Sequence, residues 1–260
     1  MLKCDFHMHA REDPLDWCTY GVRDLIDKAA ALKFDVLAIT FHGHAFSDAA
    51  LLAYGRERGV LLISGCEVFV GRKEVLCLNI TQDEVKHLHT FADVRAWKKA
   101  RGEQGLVIAP HPFYPLEQCL REEFEANLDL WDAVEYCHMH IRGLNFNRAA
   151  VRAAAAHGLP LVANSDAHEL FMFGRNYTLV DAEKEMLSVF RAIRAGKTQY
   201  HAPPLSPWEA TKTVGVMSFR HGFARWFSAR HRAAWLAKKR RHREMKRAQK
   251  QGGLTEAKPS

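Results

Sequence analysis

Residues 2–9, Leu2-Lys3-Cys4-Asp5-Phe6-His7-Met8-His9, form a short strand-like run that closes on two histidines one residue apart. Side chains of a strand alternate between its faces, so the two imidazoles point the same way and Met8 the other. The construction repeats along the chain. A second run at residues 36–41 leads to Thr40-Phe41-His42, and a third at 60–64 leads to Gly65-Cys66-Glu67. Runs at 106–110, 133–137 and 161–163 lead to Pro110-His111-Pro112, Glu135-Tyr136-Cys137-His138 and Ser165-Asp166-Ala167-His168. Only the fourth run, 75–80, lacks such an ending.

Between these runs, residues 22–33, 48–58, 92–101, 116–128 and 145–157 carry helical periodicity. Gly71-Arg72-Lys73 marks the one place where two strands follow directly, as a hairpin. Strands alternating with helices predict an α/β fold with a parallel sheet under a helical cover, and seven strands favour a closed or nearly closed barrel. In such a barrel the functional groups leave the C-terminal strand ends. Six of the seven runs therefore deliver an imidazole or a carboxylate to one rim.

A single His-x-His is a weak signal, but six coincident placements are a strong one. A His, Asp and Glu set without Cys suits Zn, Mn or Fe, and a shared carboxylate such as Glu67 can bridge two ions. His44, His87 and His89 fall beyond strand ends or in polar helical stretches and are expected at the surface. Ser165, Asp166 and His168 imitate a hydrolase triad, but triads gather residues from distant segments and no Gly-x-Ser-x-Gly elbow is present. Glu135 is expected to be structural, and Glu135→Gln mild.

Five motifs in order, Asp5-Phe6-His7-Met8-His9, Ala38-Ile39-Thr40-Phe41-His42, Gly65-Cys66-Glu67, Ala109-Pro110-His111-Pro112 and Asn164-Ser165-Asp166-Ala167-His168, resemble those of the polymerase and histidinol phosphatase (PHP) superfamily of metal-dependent phosphoesterases. The resemblance covers roughly residues 1–200. It implies a distorted seven-stranded (β/α)7 TIM-like barrel that holds two or three divalent ions. Carried over residue by residue, it implies His7, His9, Glu67 and Asp166 at one ion. His111 and His138 would join Glu67 at a second, with His140 as the alternative to His138. His42 and His168 would join an upstream aspartate at a third; Asp16 is favoured over Asp13 because it is read as immediately preceding the first helix. Where the family commonly has Asp, this chain has Phe41, which removes one expected partner of His42.

Composition bounds the rest. A chain of 260 residues that is 48% hydrophobic and 26% charged is expected to fold. Its first residues lack the pattern of a secretory signal, and no apolar stretch approaches the ~20 residues of a membrane span, so a cytoplasmic location is expected. Six scattered cysteines without a Cys-x-x-Cys pair argue against a zinc ribbon or a disulfide framework. Residues 201–260 hold 14 of the 37 Lys and Arg but 3 of the 30 Asp and Glu, so the excess of positive charge lies in the tail.

Three segments are expected: a catalytic barrel over 1–200, a proline-containing linker with a basic amphipathic helix over 201–250, and a disordered tail over 251–260. The helix itself is expected over residues 214–241. The predicted function is phosphoester hydrolysis by a metal-bound hydroxide near Glu67, with Arg142 and Arg175 as candidate phosphate clamps. A phosphorylated small molecule or nucleotide is the expected substrate, and a phosphomonoester the first choice. The alternatives are a nuclease or nucleotide phosphoesterase whose tail holds nucleic acid, and a non-catalytic metal-binding module. Residues 212–250 are expected either to dock on the barrel or to contact nucleic acid or a membrane surface.

Overall fold

A computed structural model describes residues 1–219. Nine strands form one sheet: β1 Leu2–Asp5, β2 Val36–His42, β3 Leu61–Val70, β4 Lys73–Leu78, β5 Leu106–Ala109, β6 Ala133–Tyr136, β7 Leu161–Ala163, β8 Tyr177–Val180 and β9 Thr198–His201. Their order is β7-β6-β5-β4-β3-β2-β1-β8-β9. The helices are α1 Val22–Ala31, α2 Ala49–Glu57, α3 Gln82–Val85, α4 Phe91–Arg101, α5 Glu122–Ala126, α6 Asn147–Ala156, α7 Met186–Arg194 and α8 Pro207–Ser218.

The sheet curls until its ends nearly meet. Met8, beyond β1, forms a parallel bridge to Ala167, beyond β7, with Asp166 N–H donating to the His7 carbonyl at 2.9 Å and His9 N–H to the Ala167 carbonyl at 3.1 Å. Lower down, β8 and β9 fill the gap: β8 pairs antiparallel with β1, and the Thr178 hydroxyl accepts from Ala163 N–H at 2.9 Å. The seven expected strands are thus present, and the hairpin β8–β9 is the correction to their number. Its four-residue strands flank α7, whose apolar face covers the bottom of the barrel. Val189, Phe190 and Ile193 pack there against Phe6, Val36, Leu106 and Val162, each side chain contributing about 1.5–3 kcal/mol of burial.

The expected hairpin through Gly71-Arg72-Lys73 is present and sets β4 antiparallel to β3, and β4 is antiparallel to β5 as well, a departure from the expected parallel sheet. The C-terminal end of β4 therefore lies away from the ligand rim, which explains why residues 75–80 end without a donor. The helix expected over 116–128 is confined to Glu122–Ala126, after an irregular stretch containing Pro112 and Pro115.

The proline segment after β9 is packed on the barrel. Leu205 N–H donates to the His140 carbonyl at 2.8 Å, and Leu205 bridges Ile141. Ser206 and Glu209 then form a capping box around Pro207, so α8 begins seven residues before the expected helix. The remainder of that expected helix, residues 220–241, and the expected tail, 251–260, lie outside the described residues. All six cysteines are buried, and none forms a disulfide. Among the described residues no helix is long and apolar enough to cross a membrane.

Candidate metal centre

The strand ends bring His7, His9, His42, Glu67, His111, Asp166 and His168 into one buried cluster. β3 sets Glu67 beside His42 by register, and this close pairing depends on Gly65. A Cβ there would meet Thr40 Cγ2 at 2.8 Å, Leu78 Cδ2 at 2.9 Å and the Ile39 carbonyl at 3.1 Å. His111 and Asp166 both take left-handed backbone conformations, with φ of 27° and 45°, a costly arrangement for non-glycine residues that clusters at functional sites.

Each of these histidines uses its ring nitrogens for different tasks. The Nδ1 atoms face outer partners: His7 meets Glu135 Oε1 at 3.2 Å, His9 meets Asp13 Oδ2 at 3.1 Å, and His42 meets the same Asp13 oxygen at 2.8 Å. His111 Nδ1 lies 3.4 Å from Cys119 Sγ, and His168 Nδ1 pairs with Asp16. Every Nε2 turns inward. His7 Nε2 lies 3.4 Å from Glu67 Oε1 and 3.3 Å from Asp166 Oδ1, and His9 Nε2 lies 3.6 Å from Glu67 Oε2 and 3.4 Å from Asp166 Oδ1. The two Nε2 atoms are 3.3 Å apart. His42 and His111 reach Glu67 at 3.2 and 3.4 Å, and His168 reaches Asp166 at 3.2 Å.

These separations can be tested against an ion. Bonds of about 2.0–2.2 Å to a tetrahedral zinc would space its donors about 3.3–3.6 Å apart. The contacts among His7, His9 and Asp166 fall in that range, a spacing that suits a divalent ion, while Glu67 meets His7 through Oε1 and His9 through Oε2. An Nδ1–H donated to a carboxylate leaves Nε2 as the lone-pair donor, the tautomer a ligand needs. His138 supplies a second sign. Both its ring nitrogens are buried without a hydrogen-bond partner, and burial pushes its pKa down to about 4, favouring the neutral imidazole. His140 stands edge-on to Tyr136, and its Nδ1 is likewise buried without a hydrogen-bond partner.

The expected site residues thus divide. His7, His9, His42, Glu67, His111, Asp166 and His168 share one cluster. Asp16 and Asp13 both accompany it, in a group with His9 and His42 whose donor atoms lie within 4.8 Å of one another. The sequence ground for preferring Asp16 does not hold, because α1 starts at Val22. Asp13 restores the partner of His42 that Phe41 cannot provide, accepting also from His42 N–H at 2.9 Å. Arg142 is exposed in the loop after β6. Arg175 donates to Glu209 and to the Pro204 carbonyl at 2.6 Å, tying α8 to the barrel, so its contacts are not those of a phosphate clamp. His44, His87 and His89 are exposed.

Sequence reading undervalued Glu135 and overlooked Glu74 and Cys119. Glu135 is fully buried; besides His7, it accepts from His111 N–H at 2.9 Å and Asn164 Nδ2 at 3.1 Å. Asp5, also fully buried, accepts from His7 N–H at 3.3 Å and Ser165 N–H at 3.1 Å, and burial raises its pKa to about 7.

Residues 145–198, which carry α6, β7, β8 and α7, match the family model described as PHP-associated. The chain is 26% identical to the uncharacterized protein MJ1587 of Methanocaldococcus jannaschii over 137 residues, 49% of this chain and 78% of the relative. Its fold is similar to a two-domain protein from Bacteroides vulgatus described as containing a predicted PHP-like metal-dependent phosphoesterase. The TM-score is 0.61 at 18% identity, over 77% of this chain and 64% of that one, so this chain spans less than two thirds of that protein's length. It is also similar to PsfC from Pseudomonas syringae, with a TM-score of 0.60 at 16% identity over 85% of this chain and 98% of that one. The PHP resemblance read from the motifs is borne out by the family model and by the shared fold.

Proposed function

We propose that this chain is a metal-dependent phosphoesterase that hydrolyses a phosphomonoester. The observation that carries this reading is the convergence of His7, His9 and Asp166 at donor spacings that suit a divalent ion, with Glu67 beside His7 and His9 and both ring nitrogens of His138 buried without a partner. His7, His9, Glu67 and Asp166 would hold one ion; Glu67, His111 and His138 a second; His42, His168 and Asp16 or Asp13 a third, with zinc, manganese or iron suiting the donor set. Bound ions of this kind activate water and offset the charge of a phosphoryl group.

The chain's own residues prepare that chemistry. Glu135 and Asp13 fix the tautomers of His7, His9 and His42, and the walls around them exclude bulk water. The donors are recessed: His7 and His9 are 0% exposed and Glu67 is 2% exposed, while the Asp166 side chain, at 17%, opens to solvent. A terminal phosphate can enter such a recess more readily than the middle of a duplex, which favours a monoester. Residues 1–200 would then be the catalytic unit and 201–260 an accessory segment.

One observation favours a second reading, in which the substrate is a nucleic acid or nucleotide. The concentration of basic residues in 201–260 would hold a phosphate backbone in a salt-dependent way. Turnover of a chromogenic phosphomonoester, a phosphodiester and a single-stranded oligonucleotide by the same preparation separates the two. The monoester turned over fastest, with the rate lost on chelation, supports the first reading. Oligonucleotide cleavage that exceeds it and weakens with salt supports the second.

A further inference from the structure

Glu74 enters the cluster from the opposite direction to every other donor. Because β4 is antiparallel to its neighbours, its first residues, not its last, lie at the ligand rim. The register fixes which face Glu74 occupies. Phe69 pairs with Glu74 and Glu67 pairs with Leu76, so Glu74 shares the face of Phe69 and Glu67. Phe69 stacks on His42 with ring centroids 6.0 Å apart.

The carboxylate is 4% exposed, and its Oε2 lies 3.9 Å from His111 Nε2. Donor atoms of His42, Glu67 and Glu74 also lie within 4.8 Å of one another. Two buried carboxylates at this spacing, facing imidazole nitrogens on either side, form a donor set that positive charge stabilises, from imidazolium in the metal-free chain or from a bound cation in its place. A divalent ion supplies that charge and takes oxygen donors readily.

We propose that Glu74 is a ligand of the metal centre, a carboxylate from the antiparallel strand that spans the ion beside His111 and the ion beside His42. This rests on the metal-dependent reading above. Glu74 and Glu67 would then approach the ions from adjacent antiparallel strands, and the hairpin β3–β4 would be the element that sets how many ions the barrel retains.

The test loads the full chain with manganese(II) after removal of all metal, then measures bound manganese per chain and its affinity by titration. Glu74→Gln keeps the shape of the side chain and removes its charge. The variant should retain about one ion fewer per chain and bind the rest about tenfold or more weakly, while its metal-free thermal midpoint stays level or rises because a like-charged neighbour of Glu67 is gone. A wild-type ion count and affinity in Glu74→Gln, while Glu67→Gln loses manganese, overturns the proposal and leaves the metal-dependent reading standing. A lowered metal-free midpoint with wild-type manganese binding overturns it equally, by assigning Glu74 to structure. A wild-type chain that binds no manganese, zinc or iron removes the reading on which it rests. If Glu74→Gln does not fold, Glu74→Asp decides: the shortened carboxylate should lower the ion count, and a wild-type count overturns the proposal.

Discussion

Glu135 Oε1 lies 3.2 Å from the Nδ1 of His7, on the side of the ring opposite the nitrogen that faces Glu67 and Asp166. Glu135 also receives His111 N–H and Asn164 Nδ2, so both its oxygens are committed as acceptors. In Glu135→Gln one oxygen becomes an amide that can only donate, and it must face a donor. The substitution should lower metal affinity and turnover about 10- to 100-fold, the usual effect of removing a ligand's outer partner. The contacts of Glu135 thus point to a larger effect than the mild one expected from sequence. Metal titration and initial rates on one preparation check it, and wild-type values for both would contradict it.

The location of the donors was legible because period-two alternation after an apolar run places a side chain without reference to anything distant. His7, His9 and Glu67 are of this kind. Glu135 was read as structural because its role depends on His7 and Asn164, which lie 128 and 29 residues away. Glu74 carries no such mark because it precedes the apolar run 75–80, whereas the other donors follow theirs. The hairpin β8–β9 escaped because its short strands follow the last donor and bring no ligand to mark them.

In the metal-free protein, stability should peak in mildly acid solution. Burial opposes charge on His7, but Asp166, Glu135 and Glu67 outweigh it and hold the imidazole pKa well above its usual value. His111 and His168 shift the same way against burial, through Cys119 and Glu67 and through Asp16 and Asp166 respectively. Groups raised in the folded state stabilise fully below their unfolded value of about 6.5 and lose that contribution as pH rises through the folded value. Burial would raise the pKa values of Glu67 and Asp166, but His7 and neighbouring imidazoles hold them well below the usual range. Their contribution is present above about pH 4 and lost as pH falls. The metal-free thermal midpoint should therefore be highest between about pH 4.5 and 6.5 and decline toward alkaline pH, and metal loading should remove that alkaline decline. A midpoint that falls equally with and without metal would contradict this.

Gly65→Ala should lower stability by about 1–3 kcal/mol, since its methyl group has no room beside Thr40, Leu78 and the Ile39 carbonyl. Denaturant titration of the metal-free chain reads the loss. An unchanged midpoint would mean that β2 and β3 can separate freely at this level.

Arg175→Ala should leave hydrolysis of a small chromogenic phosphoester within about twofold of wild type, while hydrogen exchange in residues 207–218 accelerates as α8 loses its tie to the barrel. Glu209→Ala should accelerate that exchange further, because it removes both the tie to Arg175 and the capping box that starts α8. A large fall in kcat for Arg175→Ala with unchanged exchange would instead return Arg175 to the role of phosphate clamp.

In the function proposed above, phosphoester hydrolysis would depend on a divalent ion held among His7, His9, Glu67 and Asp166. The most direct measurement is metal content and turnover of a chromogenic phosphomonoester in a single preparation, before chelation, after exhaustive chelation and after reloading with manganese or zinc. The expected result is on the order of two to three ions per chain at the start, loss of turnover with their removal, and recovery of both together on reloading. A chain that holds no metal and hydrolyses the substrate at a rate indifferent to chelator and added ion would contradict it.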